Sequence, residues 1–126
     1  MPVSEPAGGE SQRPPLEVFP TPSNISRVQV ISDEVTSVCP ITGQPDFYTV
    51  EIDYVPAASC IESKSLKIYL QSFRTTGAFG EDLASIILDA VCAAITPREC
   101  TVVTVQKPRG GITIRATATM PLVARD

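Results

Sequence analysis

A thiol and a carboxylate stand seven residues apart in the stretch Cys39-Pro40-Ile41-Thr42-Gly43-Gln44-Pro45-Asp46. Proline fixes φ and glycine admits positive φ, so this loop is built to be rigid and sharply bent. A rigid turn can hold a nucleophile and an acid at a set distance, as covalent catalysis with proton donation requires. Composition alone favours a plainer reading, a tight turn with an inert buried Cys and a turn-capping Asp, because free Cys is among the most buried residue types. Other groups narrow the chemistry. Histidine is absent, and the four cysteines (39, 60, 92 and 100) form no C-x-x-C pair. A zinc site would need thiols and carboxylates at spacings that match no familiar pattern, so no structural metal is expected.

The positioning elements must come from a short chain. With 126 residues, one domain is expected. Residues 1–24 hold six of the twelve prolines, two glycines and several Ser and Glu, and are read as a disordered Pro-rich N-terminal arm before a single domain at 25–126. No signal peptide and no membrane-length apolar run is recognised, which suggests a soluble, cytoplasmic protein with reduced thiols. The net charge of −4 argues against direct tRNA or membrane-surface binding.

Hydrophobic periodicity supplies the elements. Val28, Val30 and Ile31 begin a strand that runs through Val35 and Val38 to Cys39, with an irregularity at Asp33-Glu34. In Phe47 to Val55, Tyr48, Val50, Ile52 and Tyr54 alternate with polar residues, which predicts a half-buried strand. Leu66, Ile68 and Leu70 also alternate, so Ile61 to Phe73 reads as a third strand, antiparallel to the second. From Glu81 the period becomes helical, through Leu83, Ile86, Ile87, Ala90, Val91 and Ala94, until Thr96-Pro97 closes it. Thr101–Gln106 and Gly111–Thr119 read as two final strands. The class is α+β, an antiparallel sheet with a helix on one face. Open sheet edges favour oligomerisation.

Four stretches carry a resemblance: Cys39 to Asp46, Glu62-Ser-Lys-Ser-Leu-Lys-Ile-Tyr69, Phe79-Gly-Glu-Asp82 and Pro108-Arg-Gly-Gly-Ile112. In order and spacing they resemble the NADPH-dependent 7-cyano-7-deazaguanine reductases, the nitrile reductases of queuosine biosynthesis, in their short single-module form, over about Leu16 to Ala118. The resemblance implies the tunnelling fold of GTP cyclohydrolase and pterin enzymes, with two pentameric rings face to face and active sites between subunits. It implies a Cys39 thiolate that adds to the nitrile carbon to give a thioimide, reduced with two NADPH to the primary amine in a tRNA-modification pathway. Asp46 matches the proton donor, which calls for burial or a nearby negative charge to keep it protonated.

By the same resemblance Glu81, which such a ring could supply from a neighbouring subunit, grips the N–H edge of the deazapurine, a directional anchor for an ionised carboxylate. Ile61, Glu62, Ser63 and Gly80 match the remaining substrate-contacting positions, and Lys64, Lys67 and Arg109 the NADPH contacts. In a regular strand Lys64 and Lys67 would point to opposite faces, so either Lys64 lies before the strand proper or a bulge re-aims it. Cys60, Cys92 and Cys100 are read as core packing. One position departs from the pattern, because the family usually has His where this chain has Gly80. That departure leaves open non-reductive thioimide chemistry (amidine formation) or deazapurine binding with weak turnover. If the missing imidazole limits proton transfer, Gly80→His is expected to raise turnover.

Overall fold

Six strands and two helices form among the described residues. The computed structural model describes residues 13–120. In chain order they are β1 (Val18–Pro20), β2 (Val28–Val38), β3 (Pro45–Val55), β4 (Ser59–Ile61), α1 (Ser63–Gln71), a 3-10 turn (Ser72–Thr75), α2 (Gly80–Ile95), β5 (Glu99–Arg109) and β6 (Ile112–Met120). The main sheet is antiparallel in the order β2-β3-β5-β6, and β1 pairs with β4 in a small second sheet. Both helices contribute to the core formed over one face of the main sheet.

The expected alternation in β3 is observed. Tyr48, Val50, Ile52 and Tyr54 are buried beneath the helices, and Asp46 continues the same face at the end of the sheet. On α2, Leu83, Ile87 and Val91 are fully buried against that face. Each such side chain stabilises the fold by about 1.5–3 kcal/mol. The helix stops at Thr96, whose φ of 42° is left-handed, directly before Pro97.

The irregularity expected at Asp33-Glu34 is a β-bulge, since Ser32 pairs with Val50 but Val35 with Tyr48. One extra residue reverses the phase of β2, so Val35 and Ser37 become the buried positions. A second bulge lies between Gln106 and Arg109, just before a two-residue turn at Gly110-Gly111 with φ of 60° and 78°.

The strand expected over Ile61 to Phe73 is not formed. Those residues make the end of β4, then α1 and the 3-10 turn. Ser65, Leu66, Tyr69 and Leu70 are buried with helical spacing, while Ile68 is 46% exposed. The alternation of Leu66, Ile68 and Leu70 was therefore coincidental. What decides the helix is Glu62, whose carboxylate accepts from the N–H groups of Lys64 (2.8 Å) and Ser65 (2.7 Å) as an N-cap. These two bonds hold the Glu62 carboxyl below its ordinary value of 4.5, Ser65's first and Lys64's next. The cap's stabilisation is thus present above the unfolded pKa and is lost as pH falls through the lower folded one. Glu62→Ala is expected to lower the melting temperature by about 5 °C at pH 7 and by less at pH 3, read by circular dichroism.

Residues 13–24 also differ from the expected arm, of which residues 1–12 lie outside the described residues. β1 pairs with β4, and Arg13 is buried with its guanidinium 3.8 Å over the Phe73 ring. Arg13 also donates to the Ser72 carbonyl and to the Thr76 hydroxyl, at 3.2 and 2.9 Å. A guanidinium with an aromatic face and hydrogen-bond partners is ordered despite the prolines around it.

Candidate active site

At the end of the sheet beside the start of α2, the Cys39–Asp46 turn is closed by its own backbone. Cys39 N–H donates to the Gln44 carbonyl at 2.8 Å, Gly43 N–H donates to the Cys39 carbonyl at 2.9 Å, and Gly43 has φ of 74°. The Cys39 thiol is partly exposed. Hydrogen bonds from the Thr42 side chain first, then from the Thr42 and Ile41 backbone, lower its pKa; partial burial and the Asp46 charge oppose them. A thiol with more thiolate at neutral pH is a better nucleophile.

Asp46 is buried, and the charge beside it is positive. Arg109 donates from Nη1 to Asp46 Oδ1 (3.0 Å) and to the Pro45 carbonyl (2.8 Å), and from Nη2 to Gln44 Oε1 (2.8 Å). Of the two environments expected for Asp46, burial or a nearby negative charge, burial is found, and its ion-paired neighbour is positive rather than negative. The second bulge and the glycine turn carry the end of β5 back toward the start of β3, where this fork meets three acceptors.

Tyr48 lies next along the same face. Burial pushes its hydroxyl up to about 12; a Ser37 hydrogen bond opposes this, and the charges of Asp46, Glu81 and Cys39 add to it. Cys39, Asp46 and Glu81 of one chain thus act on a single phenol. Glu81 stands exposed in the first turn of α2, where Asp82 Oδ2 accepts from the Phe79 N–H at 2.9 Å.

Comparison with known proteins decides the family. The QueF-like protein family profile matches residues 45–122. A Chlorobium phaeobacteroides protein named NADPH-dependent 7-cyano-7-deazaguanine reductase is 46% identical over 108 residues, covering 84% of this chain and 93% of the relative. A Rhodopirellula baltica protein of the same name is 45% identical over 113 residues, 88% and 93% of the two chains. The chain belongs to the QueF-like family. Among solved structures, the apo form of the archaeosine synthase QueF-Like superposes with a TM-score of 0.75 at 25% identity, covering 81% of this chain and 100% of that one.

Within this QueF-like chain the remaining expected site residues form a second group. Ile61 is buried, and its N–H donates to the Tyr54 hydroxyl at 3.0 Å. Ser63 is exposed at the start of α1. Glu62 and Lys64 line a groove of about 290 Å³ with Pro14, Pro15, Glu17 and Ile68, which includes none of Cys39, Asp46 or Glu81. Because α1 is a helix, Lys64 and Lys67 share its exposed side, and the bulge expected between them is not needed. Arg109 is turned inward onto the turn, with 43% of its side chain still exposed.

Gly80 also changes its meaning. A Cβ built there would lie 3.1 Å from Tyr48 Cε1, closer than most such carbons pack. Gly80→His therefore asks Tyr48 to give by a few tenths of an ångström before it adds an imidazole. Turnover by that single variant is expected to fall rather than rise, as a steady-state assay of NADPH oxidation would show.

Sequence reasoning missed two members of the site. Tyr48 was read only as core, and Arg109 only as a cofactor contact. Their proximity to the turn depends on cross-strand register, for which a single sequence carries no local signal.

Proposed function

We propose that the protein reduces the nitrile of 7-cyano-7-deazaguanine to 7-aminomethyl-7-deazaguanine, at the expense of two NADPH, in queuosine biosynthesis. The observation that carries this reading is the juxtaposition of a thiol of lowered pKa with a buried carboxylate and the Glu81 carboxylate in one QueF-like chain. Cys39 sulfur forms a bond to the nitrile carbon, and the nitrogen takes a proton from Asp46, giving a thioimide. NADPH supplies a hydride to that carbon in each of two steps. Between them the C–S bond breaks and Cys39 leaves as thiolate, and protons delivered at the nitrogen complete the amine. Arg109 holds the Asp46 carboxyl in place during these transfers. Glu81 orients the deazapurine through its N–H edge.

Lys64 and Lys67, two cations on one side of α1, suit the cofactor's phosphates; any contact from Arg109 would use its exposed edge. Their separation from the Cys39 group fits a site completed by a second copy of the chain, in two face-to-face pentameric rings. The outer edges of β2 and β6 are unpaired in the main sheet, with Ile31 70% and Ile112 63% exposed, as ring formation by edge pairing would use.

The archaeosine synthase neighbour supports a second reading, attack of an amine on the same thioimide to give an amidine. Intact mass after incubation with 7-cyano-7-deazaguanine tests both. A covalent adduct with about two NADPH consumed per nitrile supports reduction. An adduct with stable NADPH selects amidine chemistry, and absence of any adduct defeats both.

A further inference from the structure

Gly80 has ordinary helical backbone, unlike Gly43, Gly110 and Gly111 with their positive φ. What is tight here is space, not conformation. The position of a Cβ on residue 80 is 3.1 Å from Tyr48 Cε1, 3.7 Å from the Tyr48 hydroxyl and 3.6 Å from Thr104 Oγ1.

These neighbours belong to a polar floor at the end of an otherwise apolar sheet face. Ser37 on β2, Tyr48 on β3 and Thr104 on β5 are all buried. Buried hydroxyls are costly unless bonded. Here they are spent on the chain that leads into α2. Thr104 Oγ1 donates to the Gly80 carbonyl at 2.8 Å, Ser37 Oγ donates to the Ala78 carbonyl at 3.4 Å, and Ser37 also bonds the Tyr48 hydroxyl. Val38 extends the grip, its N–H on the Thr76 carbonyl and its carbonyl accepting from Ala78. The segment fastened in this way ends one residue before Glu81.

We propose that Tyr48 is a positioning residue for Glu81: its buried phenol fills the space beside Gly80 and, with Ser37 and Thr104, sets where the first turn of α2 leaves the sheet. The place of the Glu81 carboxylate against the Cys39–Asp46 turn follows from that seating. This inference deepens the proposed function and rests on it. Tyr48 acts through backbone, so its loss weakens substrate binding and spares the chemical steps.

The test uses Tyr48→Phe, which keeps the ring and removes the hydroxyl, and the pair Gly80→Ala and Tyr48→Leu, singly and together. KM and kcat are measured for 7-cyano-7-deazaguanine at saturating NADPH, and amide hydrogen exchange over residues 78–83 is measured without ligand. Tyr48→Phe is expected to raise KM about tenfold with kcat within about twofold, and to speed exchange at 78–83 while residues 86–95 are unchanged. Gly80→Ala with Tyr48→Leu should raise KM by less than the product of the two single effects, because the leucine vacates the space the new methyl needs. A wild-type KM or wild-type exchange in Tyr48→Phe, a loss confined to kcat, or multiplicative effects in the pair would each overturn the proposal. Failure of the functional reading shows separately, as a wild-type protein that forms no Cys39 adduct.

Discussion

Cys39→Ala is expected to abolish the covalent adduct with 7-cyano-7-deazaguanine and to lower NADPH oxidation by at least about 10³-fold, because in the proposed mechanism the C–S bond that opens the nitrile to hydride attack can no longer form. No other cysteine substitutes. Cys60 and Cys100 are buried, and burial first, then the neighbouring Cys92, pushes the Cys100 thiol up to about 12. The pH dependence has a definite sign. Adduct formation needs the thiolate, so its rate rises with pH and levels off above the Cys39 pKa, which the Thr42 and Ile41 hydrogen bonds hold below the ordinary 9.0. Thr42→Val removes the largest of those contributions and should move the inflection to higher pH, with the plateau nearly unchanged. Stopped-flow or quenched mass measurements across pH 5–10 read both effects. Adduct formation persisting in Cys39→Ala would remove the nucleophile from this mechanism.

Asp46→Asn is the second large effect. The amide keeps an oxygen for Arg109 but has no acidic proton to give, so turnover should fall by about 10²–10³-fold with little change in melting temperature. Arg109→Ala separates positioning from proton transfer. It leaves a buried carboxylate without the fork that holds it, and about tenfold loss in kcat is expected. Arg109→Lys should restore little of this, since one ammonium cannot reproduce bonds from two nitrogens to Gln44, Pro45 and Asp46. An Asp46→Asn enzyme with wild-type turnover would show that water or another acid protonates the nitrile nitrogen.

Much of the fold was legible because it rests on local periodicity. The alternation in β3 and the helical spacing in α2 each bury one face, and the structure places those faces together. The bulge at Asp33-Glu34 was visible as a break in alternation. Residues 61–73 were misread because three aliphatics two apart satisfy a strand pattern, while the helix was decided by one capping carboxylate and by the burial of Tyr69. Residues 13–24 looked too rich in proline to order, and a single buried arginine over Phe73 outweighs that.

The sequence by itself set out the candidate groups: a thiol and a carboxylate in one rigid turn, and a glutamate opening a helix. Residue type and spacing alone fit an inert turn as well, and it was the four motifs in register that singled these groups out. Only the tertiary structure decided how they meet. Two bulges shift strand phase by one residue each, and those shifts bury Ser37 against the Ala78 carbonyl and bring Arg109 onto Asp46. Phase across strands is a property of the whole sheet, so the contacts of Asp46 with Arg109 and of Tyr48 with the start of α2 exist only once the sheet has formed.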